Sequence, residues 1–193
     1  MKLRPGAVVI LEGLDKAGKT TQREAIRRLA WEEPIPLITH MPSGVTELTR
    51  VIYGVTENQA IGSSLARQLL HLACHAENLP LLTAARRERG VLVDRWWWST
   101  VAYGWFGGLD RAVDEAAFLG TIEMVWGDFP ADVVFLFLSA FERDPHNVSS
   151  IAEGYRSLAS RYPAMSVEVP VLSEAETTDF MLSELGRRGL LIR

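Results

Sequence analysis

The chain has 193 residues, of which 48% are hydrophobic and 23% charged, a composition that suits one well-filled domain, 1–193. Its net charge of -4 at pH 7 argues against stable nucleic-acid binding. Cys74 is the only cysteine, which excludes an internal disulfide and favours a reducing compartment. No apolar stretch reaches the roughly 18 residues of a membrane span, and no signal-peptide pattern precedes the first apolar run. We therefore expect a cytoplasmic protein with no membrane partner.

Short apolar runs alternate along the chain with segments of helical periodicity. The runs predict strands at 7–11, 35–39, 91–94, 132–138 and 165–169. The periodic segments predict helices from 21 to about 31, then at 46–53, 63–89, 110–126, 151–161 and 173–187. Pro80 should kink or divide the long helix 63–89. Strands separated by helices predict an α/β fold, a three-layer α/β/α sandwich around a five-stranded parallel sheet.

A complete phosphate-binding motif follows the first strand. The stretch from Gly13 to Thr20, GLDKAGKT, matches G-x-x-x-x-G-K-[ST] between a predicted strand and a predicted helix. Gly13 and Gly18 stand where a Cβ atom would obstruct close approach of the main chain to a triphosphate. Lys19 should reach the β- and γ-phosphates, and Thr20 should place its hydroxyl on Mg²⁺. The motif therefore predicts ATP and Mg²⁺ as the cofactors.

A second polar pair ends the third predicted strand. Asp94 and Arg95 lie at its carboxyl end, where open α/β sheets bind their ligands. The carboxylate of Asp94 could hold Mg²⁺, directly or through water, and the guanidinium of Arg95 could neutralise phosphate charge.

Three stretches together resemble one enzyme family. LEGLDKAGKTTQ, VLVDRWWWSTVAYG and PADVVFLFL occur in this order within about 7–138. They are similar to the patterns FEGxDGAGKTTQ, DRYxxSxxAYQG and PDLxxxLD of the thymidylate kinases, which are P-loop nucleoside-monophosphate kinases. The resemblance implies a P-loop NTPase fold, small-molecule nucleotide substrates, and phosphoryl transfer from ATP to a deoxynucleoside monophosphate, with dTMP the first candidate. It also leaves room for a homodimer packed through the apolar side of helix 63–89.

The resemblance assigns roles position by position. Asp15 would lie near the acceptor sugar, and Arg95 and Arg50 would bind the acceptor phosphate. Tyr103 would pack against the deoxyribose, with Thr100 beside it in the substrate site. The ATP phosphates would be held along one continuous stretch: Gly13, Leu14, Asp15, Lys16, Ala17, Gly18, Lys19, Thr20 and Thr21.

Charge stabilisation of the transferred phosphoryl group needs a further cation. In this family the cation comes either from the phosphate loop or from arginines of a mobile lid. The lid segment, which we define as residues 139–150, is short and contains a single arginine, Arg143. We therefore expect Lys16 to be the catalytic cation alongside Lys19 and Arg95, with Arg143 as a helper.

Three departures from the family pattern fall at expected base contacts. His71 and His75 align with a phenylalanine that stacks on thymine and an arginine that donates to it, and Gly104 replaces the glutamine of AYQG. The acceptor could therefore be another or a modified deoxypyrimidine nucleotide, a nucleoside, or a base within DNA. A nucleoside acceptor would need a carboxylate base, for which Glu12 and Asp15 are the candidates. A catalytically silent nucleotide-binding module is the remaining alternative.

Overall fold

The computed structural model describes residues 1–109, 113–127 and 129–192. Its centre is a parallel sheet of five strands. They are β2 (Val8–Gly13), β3 (Leu37–His40), β4 (Val91–Asp94), β5 (Val133–Phe137) and β6 (Ser166–Glu168). Their order in the sheet is β3-β4-β2-β5-β6. Every residue of β2, β4 and β5 is buried, which explains their unbroken apolar sequences. The α/β architecture and the five-stranded parallel sheet are thus confirmed.

A second, two-stranded sheet joins the two ends of the described chain. In it β1 (Lys2–Leu3) pairs antiparallel with β7 (Leu191–Ile192). Two residues are too few to show a periodic pattern, so this pairing could not be predicted from a local pattern.

The helices pack in two groups. They are α1 (Lys19–Arg27), α2 (Glu47–Asn58), α3 (Ser64–Glu88), α4 (Trp97–Ser99), a π-helical turn (Thr100–Trp105), α5 (Glu115–Trp126), α6 (Ser149–Arg161) and α7 (Glu174–Arg187). Helix α1 packs against α7, whereas α3 and α6 both contact the π-helical turn that follows β4. Among the described residues, no helix is long and apolar enough to cross a membrane.

Several helix boundaries differ from their predictions. Helix α1 ends at Arg27, not near residue 31, and α2 continues through Gly54 to Asn58. Helix α3 is not divided at Pro80. Both Pro80 and Ala76, whose carbonyl loses its helical partner, are exposed, so water can satisfy the free carbonyl. The predicted helix 110–126 begins in residues outside the described part; its described portion is α5.

Two predicted elements are confirmed in detail. Strand β4 has the predicted limits, and α7 follows the predicted start of the last helix at Ser173, which forms a capping box with Glu176. Trp96 and Trp98 are buried in the core. The sheet therefore carries the phosphate motif after β2 and the Asp94-Arg95 pair after the neighbouring β4, at one edge.

Candidate active site

The loop between β2 and α1 bends sharply around two glycines. Gly13 and Gly18 have φ values of 129° and 94°, in the region that favours glycine. A Cβ atom at Gly13 would lie 2.1 Å from the carbonyl oxygen of Phe137 on β5. The main chain at Lys16 also adopts the left-handed conformation, with a φ of 57°. The chain thus curls tightly just before α1, the arrangement in which main-chain N–H groups can bind phosphate.

Lys19 is folded back into this loop. Its Nζ donates to the carbonyl oxygens of Leu14 and Gly13 at 2.5 and 3.0 Å, and the residue is only 5% exposed. Burial lowers the pKa of Lys19 to about 7, and the charge of Arg95 acts in the same direction. An anion at this position would favour the ammonium form, so the side chain is suited to receive phosphate.

Two cavities adjoin the loop. The loop cavity, of about 440 Å³, contains Lys19, Thr20 and Asp94 in its lining. The side cavity, of about 270 Å³, is lined by Ala17, Gly18 and Thr21 together with apolar side chains. Leu14 is buried and its N–H donates to the carbonyl of Phe137 at 2.9 Å, so it contributes to the shape of the loop.

Asp94 presents a free oxygen to the loop cavity. Its Oδ2 accepts a hydrogen bond from Nη1 of Arg23 at 2.9 Å, while its buried Oδ1 has no partner among the described residues. Burial raises the pKa of Asp94, although the nearby charges of Lys19 and Arg95 oppose the shift. A buried carboxylate oxygen without a partner, beside a phosphate loop, is suited to a hard cation such as Mg²⁺.

Arg95 connects the loop to the π-helical turn. It leaves β4 with φ 74°, and its guanidinium donates to the carboxylate of Asp15 and to Oγ of Ser99. Its Cζ lies 5.2 Å from the centroid of the Tyr103 ring, within range of a cation–π contact. The Tyr103 hydroxyl accepts a hydrogen bond from the main-chain N–H of Asp15 at 2.8 Å.

Glu12 is linked to Arg95 through the hydroxyl of Ser99. This carboxylate is fully buried and accepts from the N–H groups of Trp96 and Ser99 at 2.7 and 3.0 Å. It also accepts from the hydroxyls of Ser99 and Tyr155 at 2.5 and 3.1 Å. Burial raises the pKa of Glu12, which these hydrogen bonds oppose. With its oxygens occupied and no exposed surface, Glu12 is poorly placed to act as a base on a substrate.

Asn147 fastens the lid segment to the phosphate loop. Its Oδ1 accepts from the Asp15 N–H and from the Tyr103 hydroxyl, both at 3.0 Å. Its Nδ2 donates to the Asp15 carbonyl at 2.8 Å. In the same segment Phe141 N–H donates to the Lys16 carbonyl at 3.0 Å. The short lid therefore covers the loop through contacts that the sequence did not predict.

A larger cavity opens beyond Arg95. We call this space of about 670 Å³ the large cavity. All but one of the predicted substrate-binding residues line it: Asp15, His71, His75, Arg95, Thr100 and Tyr103. Asp15, Lys16 and Arg95 also line the loop cavity, so the two spaces meet at these residues.

Arg50 and Arg143 differ from the other predicted cations because they are not among the described residues that line these cavities. Arg50 donates to the Val45 carbonyl at 2.8 Å and to Glu47 at 3.1 Å, and its side chain is 56% exposed. Arg143 is exposed in the lid segment. Neither residue is among those that line the large or the loop cavity in the described part of the chain, and their assignments stay predictions.

Comparison with known proteins decides the family. The family model for thymidylate kinase matches residues 11–146, more than half of the chain. The chain belongs to the thymidylate kinase family. This is a family of nucleoside-monophosphate kinases, and the match spans the phosphate loop, Asp94-Arg95 and most of the lid segment.

Individual thymidylate kinases are similar over nearly the whole chain. The thymidylate kinase of Paracidovorax citrulli is 29% identical, over 97% of this chain and 96% of that protein. The thymidylate kinase of Neorickettsia sennetsu is 26% identical, over 82% and 84%. The crystal structure of thymidylate kinase from Ehrlichia chaffeensis has a TM-score of 0.73 at 21% identity, covering 93% of this chain and 98% of that one. At this identity the structure supports the fold.

Several residues of the site lie outside the thymidylate kinase motifs of this sequence. Arg23, Gln68, Trp126 and Asn147 contact the predicted residues or line the large cavity. Arg23 follows the TTQ of the phosphate loop directly and could have been suspected from that position. Gln68 lies one helical turn before His71 and could have been suspected from that spacing. Trp126 and Asn147 lie in segments with no local signal of function.

Proposed function

We propose that this thymidylate kinase family member transfers the γ-phosphoryl group of ATP to dTMP, giving dTDP and ADP. One observation carries the proposal: the loop cavity and the large cavity meet at Asp15, Lys16 and Arg95. A triphosphate on the phosphate loop and a monophosphate in the large cavity would therefore have their phosphates side by side. Positioning of this kind supplies much of the rate in phosphoryl transfer.

The reaction needs no covalent enzyme intermediate. An oxygen of the acceptor phosphate forms a bond to the γ-phosphorus, and the bond from that phosphorus to the β,γ-bridging oxygen breaks, releasing ADP. Arg95 would hold the acceptor phosphate, while Lys19 and Lys16 would stabilise charge on the γ-phosphoryl oxygens. The side cavity, with its apolar lining, would take the nucleoside end of ATP.

Mg²⁺ fits the residues present. The free Oδ1 of Asp94 and the exposed Thr20 both line the loop cavity and would hold the ion directly or through water. When bound, Mg²⁺ would neutralise phosphate charge during transfer. Arg23, which bonds the other oxygen of Asp94, keeps that carboxylate oriented.

ADP release from ATP and Mg²⁺ tests the proposal, across dTMP, dUMP, dCMP, dGMP, dAMP, UMP, thymidine and short DNA with modified pyrimidines. We expect turnover with dTMP to exceed turnover with every other acceptor. Lys19→Met, which keeps the length of the side chain without its charge, should abolish it, whereas Lys2→Met should not. Turnover with another acceptor alone would reassign the substrate. ATP hydrolysis that is independent of acceptor would remove the kinase assignment.

We also propose that the chain acts as a homodimer. Exposed apolar side chains lie on α2 and α3, two helices that pack against each other. They include Leu48, Val51, Val55, Leu65 and Leu69. Sedimentation equilibrium should give twice the chain mass, and Leu69→Glu should shift it towards the monomer. A monomeric wild-type protein would contradict this proposal.

A cytoplasmic location and a single domain stay predictions.

A further inference from the structure

Three polar side chains of α3 line the large cavity where the family pattern places the base. Gln68, His71 and His75 are spaced so that they lie along one side of the helix. Oε1 of Gln68 and Nε2 of His71 are buried and have no hydrogen-bond partner among the described residues. Buried polar atoms without partners are rare in folded proteins. These atoms therefore point to a polar ligand in the cavity.

Gly104 makes room for Gln68. A Cβ atom at Gly104 would lie 3.0 Å from Cζ of Phe118 and 3.3 Å from both Cγ and Cδ of Gln68. Gly104 replaces the glutamine of the family's AYQG pattern. An amide thus remains beside this position, but α3 supplies it in place of the π-helical turn.

Gln68 and His71 can each adapt to different bases. An amide presents a donor or an acceptor after rotating by half a turn, and a neutral imidazole can carry its proton on either nitrogen. Oε1 of Gln68 and Nε2 of His71 make no hydrogen bond within the described part of the chain, so neither side chain is fixed at that atom. By themselves they do not determine whether the base must accept or donate.

His75 has no such freedom because Trp126 fixes its proton. Nε1 of Trp126 donates to Nδ1 of His75 at 3.1 Å, and an indole nitrogen can only donate. Nδ1 must therefore be the acceptor, which leaves the proton of the neutral ring on Nε2. Burial lowers the pKa of His75 to about 3, so the ring is neutral at physiological pH.

Trp126 is itself held in place. It is 2% exposed, and its ring packs against those of Trp96 and Phe129 with centroids 6.3 and 5.8 Å away. Among the described residues, Nε2 of His75 has no hydrogen-bond partner, although the side chain lines the large cavity. This edge of the ring is therefore a fixed donor for a ligand.

We propose that the pair Trp126–His75 makes the acceptor site selective for pyrimidines that carry a carbonyl at position 4, against those that carry an amino group there. This inference rests on the proposed function and names a pair of residues that determines the specificity of the same site. Thymine and uracil offer an acceptor oxygen at position 4, whereas cytosine offers an amino donor. The amino group would oppose the Nε2–H of His75 and leave both donors unpaired, and a site built in this way discriminates strongly. Trp126 acts through His75 and is a positioning residue.

Binding affinity tests the proposal without requiring turnover. Calorimetry gives the dissociation constants of dTMP and dCMP for the wild type, Trp126→Phe and Trp98→Phe. Trp98→Phe is the matched control, since Trp98 is fully buried and its Nε1 has no partner in the described part of the chain. In Trp126→Phe the proton of His75 can move to Nδ1, so the preference for dTMP over dCMP should fall about tenfold or more. In Trp98→Phe it should change less than about twofold.

Nitrogen NMR of the histidine rings tests the proton position directly. With ¹⁵N-labelled histidine, the four rings of the chain can be resolved, and loss of one ring in His75→Gln assigns the signal. The wild type should show an unprotonated Nδ1 and a protonated Nε2 at His75, and Trp126→Phe should show a mixture of the two forms.

The outcomes separate this inference from the proposed function. Equal preferences for dTMP in Trp126→Phe and Trp98→Phe would overturn the inference, as would a proton on Nδ1 in the wild type or failure of dTMP to bind. Selective binding of dTMP without turnover would instead retain the inference and remove the kinase activity.

Discussion

At the scale of single residues, Arg95 is held in place by a chain of polar side chains. Its guanidinium is held by Asp15 and Ser99, and Glu12 in turn holds Ser99. Arg95→Ala should raise the KM for dTMP about tenfold or more, because a charged hydrogen bond to phosphate contributes roughly 1.5–3 kcal/mol. The KM for ATP should change little. Steady-state kinetics with each substrate varied in turn measures both values.

Arg50→Ala is the companion variant for Arg95→Ala. Arg50 was predicted to share the acceptor phosphate, but in the structure it bonds Glu47 and the Val45 carbonyl. A raised KM for dTMP in Arg50→Ala would support a shared role. An unchanged KM in Arg50→Ala together with a raised one in Arg95→Ala would leave the phosphate to Arg95. If Arg95→Ala has a normal KM, the acceptor phosphate lies elsewhere.

Lys16 should supply a cation to the transferred phosphoryl group. Its ammonium group lies 3.5 Å from Glu142 and 4.0 Å from Asp144, and the side chain is 47% exposed, so it can reorient towards a nucleotide. Lys16→Ala should lower kcat about a hundredfold with a modest change in ATP affinity. Single-turnover kinetics and nucleotide titration measure the two effects.

The control variants for Lys16 separate charge from backbone strain. Lys16→Gly relieves the left-handed φ of 57° without restoring the charge, and it should be as slow as Lys16→Ala. Lys16→Arg should keep much of the rate. A normal kcat in Lys16→Ala, with a large loss in Arg143→Ala, would transfer the cation role to the lid segment.

At the scale of elements, Asn147 is the lid residue whose side chain bonds the phosphate loop most extensively. It makes three hydrogen bonds to Asp15 and Tyr103, and the Phe141 N–H adds one main-chain bond to Lys16. Asn147→Ala should lower kcat about tenfold and raise the share of ATP that is hydrolysed without acceptor, because a loosened lid admits water. Coupled assays of ADP and dTDP give this ratio. Val148→Ala, at an exposed neighbour, should leave the ratio unchanged; equal effects would show that Asn147 does not hold the lid.

The elements that could be predicted are those with a strong local pattern. Strand β4 is a continuous apolar run that ends in a charged pair, and α7 starts at a capping box, so both were located well. Pro80 was expected to kink or divide the long helix, and it does not divide α3, because the exposed side of a helix can solvate a free carbonyl. The π-helical turn had no recognisable signal, since its bonding depends on how α3 and α6 pack against it.

In the site, too, the residues that could be predicted are those with a strong local sequence pattern. The phosphate loop and Asp94-Arg95 are contiguous motifs, and the structure brings them together across β2 and β4. Asn147 reaches Asp15 across 132 residues of sequence, and Trp126 reaches His75 across 51. Contacts of this kind depend on tertiary packing, which no local pattern encodes. Asn147 and Trp126 were therefore missed, whereas the contiguous motifs located the phosphate loop and Asp94-Arg95.

At the scale of the whole molecule, the histidines should determine part of the response to acid. Burial lowers the pKa of His40 and His75 to about 3 and that of His71 to about 4. In the unfolded chain each would titrate near 6.5. Below that pH the unfolded chain binds more protons than the folded protein, so the free energy of unfolding falls as the pH drops.

His75→Gln should reduce this acid sensitivity. Between pH 8 and pH 5 each of the three histidines lowers the free energy of unfolding by about 2 kcal/mol, so the variant should lose about 2 kcal/mol less than the wild type. Urea denaturation at both pH values measures the loss, and the comparison within each variant removes the cost of the missing Trp126 hydrogen bond. His146→Gln is the control, because His146 is the exposed member of the four, and it should behave as the wild type. An equal loss in His75→Gln and the wild type would mean that His75 accepts a proton in the folded state, which the Trp126 N–H facing Nδ1 should prevent.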